Sequence, residues 1–140
     1  MIKMEKIVIE VEVNINAPLP SVWQKWTNCQ DIEKWNAASD DWHTTKAEND
    51  LKIGGKFSSR MEAKDGSMGF DFWGIYTAIK ENEKIEYTLG DDRKVKIQFY
   101  EKDGITHIIE RFEAETENTI ELQKFGWQAI LNSFKNYVEK

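Results

Sequence analysis

The chain has 140 residues, 40% of them hydrophobic, enough for one domain spanning 1–140 whose core buries about two-thirds of the unfolded surface. Its 19 basic residues against 25 acidic ones leave a net charge of -6, which argues against nucleic acid or an anionic lipid surface as a partner. Cys29 is the single cysteine, and beside His43 and His107 it forms neither a CxxC nor an HExxH spacing, so no metal or other cofactor is expected and a reducing, cytoplasmic setting fits.

Glu10 and Glu12 interrupt the apolar run near the N-terminus, so it reads as neither a signal peptide nor an inserted membrane segment. Instead Ile9, Val11, Val13 and Ile15 alternate with Glu10, Glu12, Asn14 and Asn16, the period of a strand with one buried face. Ala17-Pro18-Leu19-Pro20 stops that strand, and Ser21 to Thr27 places Val22, Trp23 and Trp26 at helical spacing. Asn28 suits the cap of a second short helix over Asp31 to Trp35, with a small, polar connection through Ala37 to Asp41.

From Trp42 onward the sequence reads as an antiparallel meander, punctuated by Gly54-Gly55, Asp65-Gly66, Gly90-Asp91-Asp92 and Asp103-Gly104. A two-residue turn at Asp65-Gly66 sets Met61 opposite Phe70, Ser59 opposite Phe72, Phe57 opposite Gly74 and Arg60 opposite Asp71. The last pair supports this register, because a slip by one residue would exchange the faces. The inward row is then Phe57, Met61, Phe70, Phe72 and Tyr76. At Asp103-Gly104 the same argument sets Phe99 opposite Ile108, Ile97 opposite Glu110 and Val95 opposite Phe112. Glu110 thus falls on an apolar face, as an interior polar group or at an edge where its carboxylate reaches water or a cation.

The last stretch, Asn118 to Lys140, has the length and period of a long helix. Leu122, Gly126, Trp127, Ile130, Leu131, Phe134, Tyr137 and Val138 fall on one half of it, while Lys124, Gln128, Asn132, Lys135, Asn136 and Glu139 fall on the other. Asn118 suits the N-cap, with Glu121 completing a capping box. Gln123 and Gly126 break the apolar half. A glycine there costs roughly 0.5 to 1 kcal/mol relative to alanine, which close approach of a strand, or space for a ligand above the sheet, would explain.

The order of elements is α+β: a curved antiparallel sheet of about seven strands wrapped around the terminal helix, with two short helices after the first strand. Asn49-Asp50-Leu51 followed by Gly54-Gly55-Lys56-Phe57, then Met61 to Gly66, Phe70-Asp71-Phe72-Trp73-Gly74 and Gly126 to Leu131 carry a resemblance over nearly the whole chain. They resemble bacterial members of the family named after the activator of Hsp90 ATPase, within the START and Bet v 1-like (SRPBCC) group. The resemblance implies a helix-grip fold. It also implies three classes of function: a binder of lipids, polyketides or other hydrophobic small molecules, a co-chaperone-like interaction module, or a cyclase or hydrolase acting inside the cavity. A homodimer and a chaperone partner are both compatible with it. For the chaperone role, the resemblance extends only to the domain type that lies C-terminal in the eukaryotic co-chaperone.

No nucleophile-elbow, phosphate-cradle or dinucleotide motif is present, and His43 and His107 stand in no acid, base or nucleophile constellation, so no catalytic residue is assigned. The expectation is a binding module. Its cavity wall would be Trp35, Phe57, Met61, Phe70, Phe72, Tyr76, Tyr87, Phe99, Trp127, Ile130 and Phe134, with Gln123 and Glu110 as orienting groups. The same aromatics could instead interdigitate as a filled core.

Overall fold

A computed structural model describes residues 6–140. Its elements run β1 (Val8–Ile15), α1 (Leu19–Thr27), α2 (Cys29–Trp35), β2 (Trp42–Asn49), β3 (Lys56–Ala63), β4 (Gly69–Lys80), β5 (Lys84–Leu89), β6 (Lys94–Lys102), β7 (Ile105–Glu113) and α3 (Ile120–Glu139). The seven strands form one antiparallel sheet in the order β1-β7-β6-β5-β4-β3-β2. The helices α1 and α2 carry the chain from β1, at one edge, to β2, at the other. Register shifts at Thr45 in β2 and Thr77 in β4 leave an extra residue on each strand, and such bulges bend and twist a sheet. The result is the curved sheet of a helix-grip fold, with α3 across its concave face.

Both hairpins have the expected registers, but only one has the expected two-residue turn. Phe57 pairs with Gly74, Ser59 with Phe72, Arg60 with Asp71 and Met61 with Phe70; Ile97 pairs with Glu110, Phe99 with Ile108 and Val95 with Phe112. Asp103 (φ 54°) and Gly104 (φ 78°) are both left-handed, as a two-residue type I′ turn requires. The other turn is wider than two residues. The Ala63 N–H donates to Met68 O, and of Lys64 to Ser67 only Gly66 has positive φ, so four residues reverse the chain without changing the register. Across the outer face, Arg60 Nη1 lies 3.6 Å from Asp71 Oδ1 while its Nε donates to Glu62 at 2.9 Å.

The helix caps differ in detail from the expected ones. Asn28 caps α2, its side chain accepting from the N–H groups of Gln30 and Asp31, so that helix starts at Cys29 rather than Asp31. For α3 the cap is Thr119, not Asn118. Its hydroxyl accepts from the Leu122 N–H, and Leu122, expected on the buried half, is 57% exposed at the margin of the apolar arc. The polar half of α3 also has a partner. Gln128 bonds both backbone groups of Glu12, Lys135 Nζ donates to Asn14 O and Glu139 accepts from the Asn16 N–H at 2.7 Å. These side chains satisfy the free edge of β1, which would otherwise be open to pairing with another chain.

The packed core lies at the C-terminal end of α3. Leu131 and Phe134 are wholly buried there, and Phe134 meets the rings of Trp26 and Trp35 edge-on, each at 4.8 Å between centroids. Phe99 joins from β6, 5.2 Å from Trp23. Aromatic pairs in this geometry add about 0.5 to 1.5 kcal/mol each beyond their buried area.

Candidate functional site

The same sheet is not filled along its whole length. Under the N-terminal half of α3 lies a cavity of about 540 Å³, between the helix, the inner faces of β2 to β5 and β7, and the loop after α2. Gly126 of the helix lines this space. A Cβ built there would meet nothing within 4 Å, so no strand approaches it and the close-packing explanation for this glycine does not hold. At Gly74 the opposite is true. A Cβ there would lie 2.9 Å from Phe57 Cε1 and 2.8 Å from Thr88 O, so the absence of a side chain lets the Phe57 ring lie down across β4.

Of the residues expected at the wall, Trp35, Phe57, Met61, Phe72, Tyr76, Tyr87, Trp127 and Ile130 line the cavity, and Glu110 and Gln123 do so with them. Phe70 lines it as well, but at the mouth, where it is 47% exposed and faces Trp42 at 5.9 Å. Phe99 and Phe134 do not. They point inward as expected, but into the aromatic cluster at the closed end. Trp26, Ile32 and Trp42 also line the wall without having been expected there: helical spacing marked Trp26 as apolar-facing, but not that it borders empty space. Asn49 and Arg93 carried no such signal.

Two polar groups were expected to orient a ligand, and the structure separates them. Gln123 is buried, yet its amide is engaged by the loop before α3. Its Nε2 donates to Glu115 O at 3.1 Å and Asn118 O at 2.9 Å, and its Oε1 accepts from the Glu115 N–H at 2.9 Å. That pattern spends both amide hydrogens on the loop and leaves only the second lone pair of Oε1, so Gln123 holds the loop and has no donor to offer a ligand. Glu110 is the contrary case. It sits mid-strand on β7, between Val11 of β1 and Ile97 of β6, and is only 5% exposed. The edge position considered for it is therefore excluded. Among the described residues its carboxyl has no hydrogen-bond partner, and since no buried side-chain oxygen is left isolated, what it opens onto is the cavity.

Burial alone pushes the Glu110 carboxyl up to about 8, because the apolar surroundings penalise its charged form. Tyr87, wholly inside the protein, is raised for the same reason first, and then by the neighbouring Glu110 and Tyr76, with Arg93 opposing. Like the Glu110 carboxyl, its hydroxyl makes no hydrogen bond among the described residues and is not sealed off, so it opens onto the cavity. Tyr76 is raised by burial, with its hydroxyl donating to Asn49 Oδ1, and Asn49 in turn donates to Thr27 O at 2.8 Å. The wall is therefore aromatic and apolar, with a carboxylic acid and a phenol left unpaired.

The histidines lie elsewhere. His43 is exposed on β2, and His107 lies on the outer side of β7, with Nε2 3.7 Å from Glu12. Among the described residues no three His, Cys, Asp or Glu side chains converge as a metal site would need, and no helix is long and apolar enough to cross a membrane.

Comparison with known proteins agrees with this architecture. An AHSA1-like protein of Aeromonas hydrophila, solved in solution, superposes with a TM-score of 0.90 at 44% identity, over 95% of this chain and 92% of that one. A protein of Cytophaga hutchinsonii is 51% identical with a TM-score of 0.80, over 96% and 92%. A Chromobacterium violaceum protein at 21% identity shares the fold, with a TM-score of 0.85 over 96% and 99%. No curated protein matches. The family described as "Activator of Hsp90 ATPase homolog 1-like protein" matches residues 16–139, and with nearly the whole chain so covered, the protein belongs to that family.

Proposed function

We propose that the protein binds a hydrophobic small molecule in the space between α3 and the sheet. The observation that carries this reading is the unfilled cavity of about 540 Å³, within the range of roughly 300 to 1,000 Å³ usual for ligand sites. A domain of this size gains stability by filling its core, and here Gly126 on the cavity wall costs helix propensity without any close packing to offset it. The walls suit an aromatic or lipid-like body: Phe57, Phe72, Tyr76, Tyr87 and Trp127 present ring faces and edges, and the mouth between Phe70, Trp42 and Leu122 opens to solvent. This fold commonly encloses hydrophobic ligands, which supports the reading.

A ligand that binds only the folded state raises the melting temperature with the logarithm of its concentration over its dissociation constant. A thermal-shift screen of fatty acids, sterols and aromatic polyketides should give saturable shifts that disappear when Gly126 is enlarged. If no apolar compound shifts the transition up to its solubility limit, the binding role is wrong.

A further inference from the structure

We infer that the cavity selects an uncharged apolar molecule carrying a hydrogen-bond-accepting oxygen, of the ketone or ester class, which seats that oxygen against Glu110 and Tyr87. The inference rests on the reading of the cavity as a small-molecule site and adds to it the chemistry of the ligand.

A carboxyl placed mid-strand, between Val11 and Ile97, is costly unless it is paired, and among the described residues none gives it an ion pair or a hydrogen bond. The titratable and charged groups that face the same space are few. Tyr76 comes from β4 and is committed to Asn49; Tyr87 comes from β5. Arg93 follows the β5–β6 turn and is held by Asp91 at 2.7 Å, with a longer bond to Glu113 O. Glu48 lies on β2, and Glu115, before α3, accepts from the N–H groups of Glu117 and Asn118. From α3 come only Leu122, Gln123, Gly126, Trp127 and Ile130. Among the described residues no free cation compensates Glu110, and burial keeps it protonated at neutral pH.

In that form the carboxyl is a donor, and so is the Tyr87 hydroxyl. Two donors without acceptors in an apolar wall are complementary to a carbonyl oxygen. An ammonium group would not suit them, and a carboxylate ligand would add a second charge to a site that disfavours the first. A site built to hydrogen-bond one group discriminates against the analogue lacking it, because its buried polar atoms are then left unpaired.

The test is a matched set, benzophenone, diphenylmethane and diphenylacetate, titrated into the full chain and followed by tryptophan fluorescence and calorimetry. At pH 6.5 benzophenone should bind about tenfold more tightly than diphenylmethane, and diphenylacetate more weakly than either. At pH 9.5, above the range in which Glu110 holds its proton, the ketone preference should fall several-fold, with Tyr87 left as the single donor. Glu110→Gln keeps a donor that does not titrate, so its preference should be the same at both pH values. Glu110→Leu should lower the preference to a similar extent while still binding diphenylmethane. If diphenylmethane binds but the ketone has no advantage, or Glu110→Leu keeps it undiminished, or the carboxylate binds best, the ligand class is overturned and the cavity reading survives. If none of the three binds, the cavity reading fails and this inference fails with it.

Discussion

Gly74 lies directly across the β3–β4 ladder from Phe57, and the Phe57 ring occupies the space where a side chain on residue 74 would stand. From there Phe57 meets Tyr87 at 4.6 Å and Tyr76 at 5.4 Å between centroids, so one glycine positions three rings of the cavity wall. Gly74→Ala would bring a methyl against both that ring and the Thr88 carbonyl, and only the ring can move. The variant should lose about 1 to 3 kcal/mol in denaturant melts, as overpacked sites do. A loss below about 0.5 kcal/mol would show that the ring shifts freely and that the wall is not fixed by this contact.

Glu110 makes stability depend on pH in a direction unusual for a carboxylate. Its folded pKa of about 8 lies above the ordinary 4.5, so between those values the unfolded chain has released a proton that the folded chain retains. Stability therefore falls as pH rises through that window and levels off above pH 8. Relative to wild type, Glu110→Gln should gain little at pH 4 and about 3 kcal/mol more at pH 7, since each pKa unit is worth about 1.4 kcal/mol. Urea melts of both proteins from pH 4 to 9 would check it. Parallel curves would mean that the carboxyl is solvated or paired in the folded state.

Trp127 ties α3 to the sheet. Its ring stacks on Phe112 with centroids 3.9 Å apart and planes 9° from parallel, and Phe72 meets it edge-on at 5.9 Å. One face of the indole is packed and the other borders the cavity. Trp127→Ala should cost about 3 kcal/mol, the lower end for a large buried aromatic, and should widen the cavity. A loss under about 1 kcal/mol would mean that helix and sheet hold together without this stack.

The registers were legible because they are local. Asp103-Gly104 demanded left-handed backbone at both positions, and counting outward from it was enough to place Glu110 across from Ile97. Alternation likewise told which face Phe57 and Phe99 take, and helical spacing which face Phe134 takes. Neither could tell depth: Phe99 shares the inner face of the sheet with Phe57 while Phe134 comes from α3, and only the path of α3 over the sheet decides that Phe99 and Phe134 meet Trp23, Trp26 and Trp35 while Phe57 borders open space. Gln123 shows a second limit. Its partners are backbone groups of Glu115 and Asn118, and an irregular loop has no period to read. The cap of α3 failed for a related reason, since Asn118 and Thr119 are both good caps and differ only in how that loop delivers the chain.

Gly126 separates stability from function most directly. Its Cβ position is empty and its helix is regular, so Gly126→Ala should stabilise the fold by about 0.5 to 1 kcal/mol through helix propensity, with the cavity only slightly reduced. Gly126→Leu should also fold, because its side chain enters a space that holds no protein atoms, but it should fill the region between Trp127, Ile130 and Leu122 that a ligand would use. Melts of the free variants and thermal shifts with any screening hit would distinguish the two effects. The expected pattern is a stabilised alanine variant that still binds and a folded leucine variant that does not. A leucine variant that binds as wild type would place the ligand away from α3, towards Phe70 and Trp42 at the mouth. An alanine variant less stable than wild type would mean that Gly126 is needed for the backbone itself rather than for the space beside it.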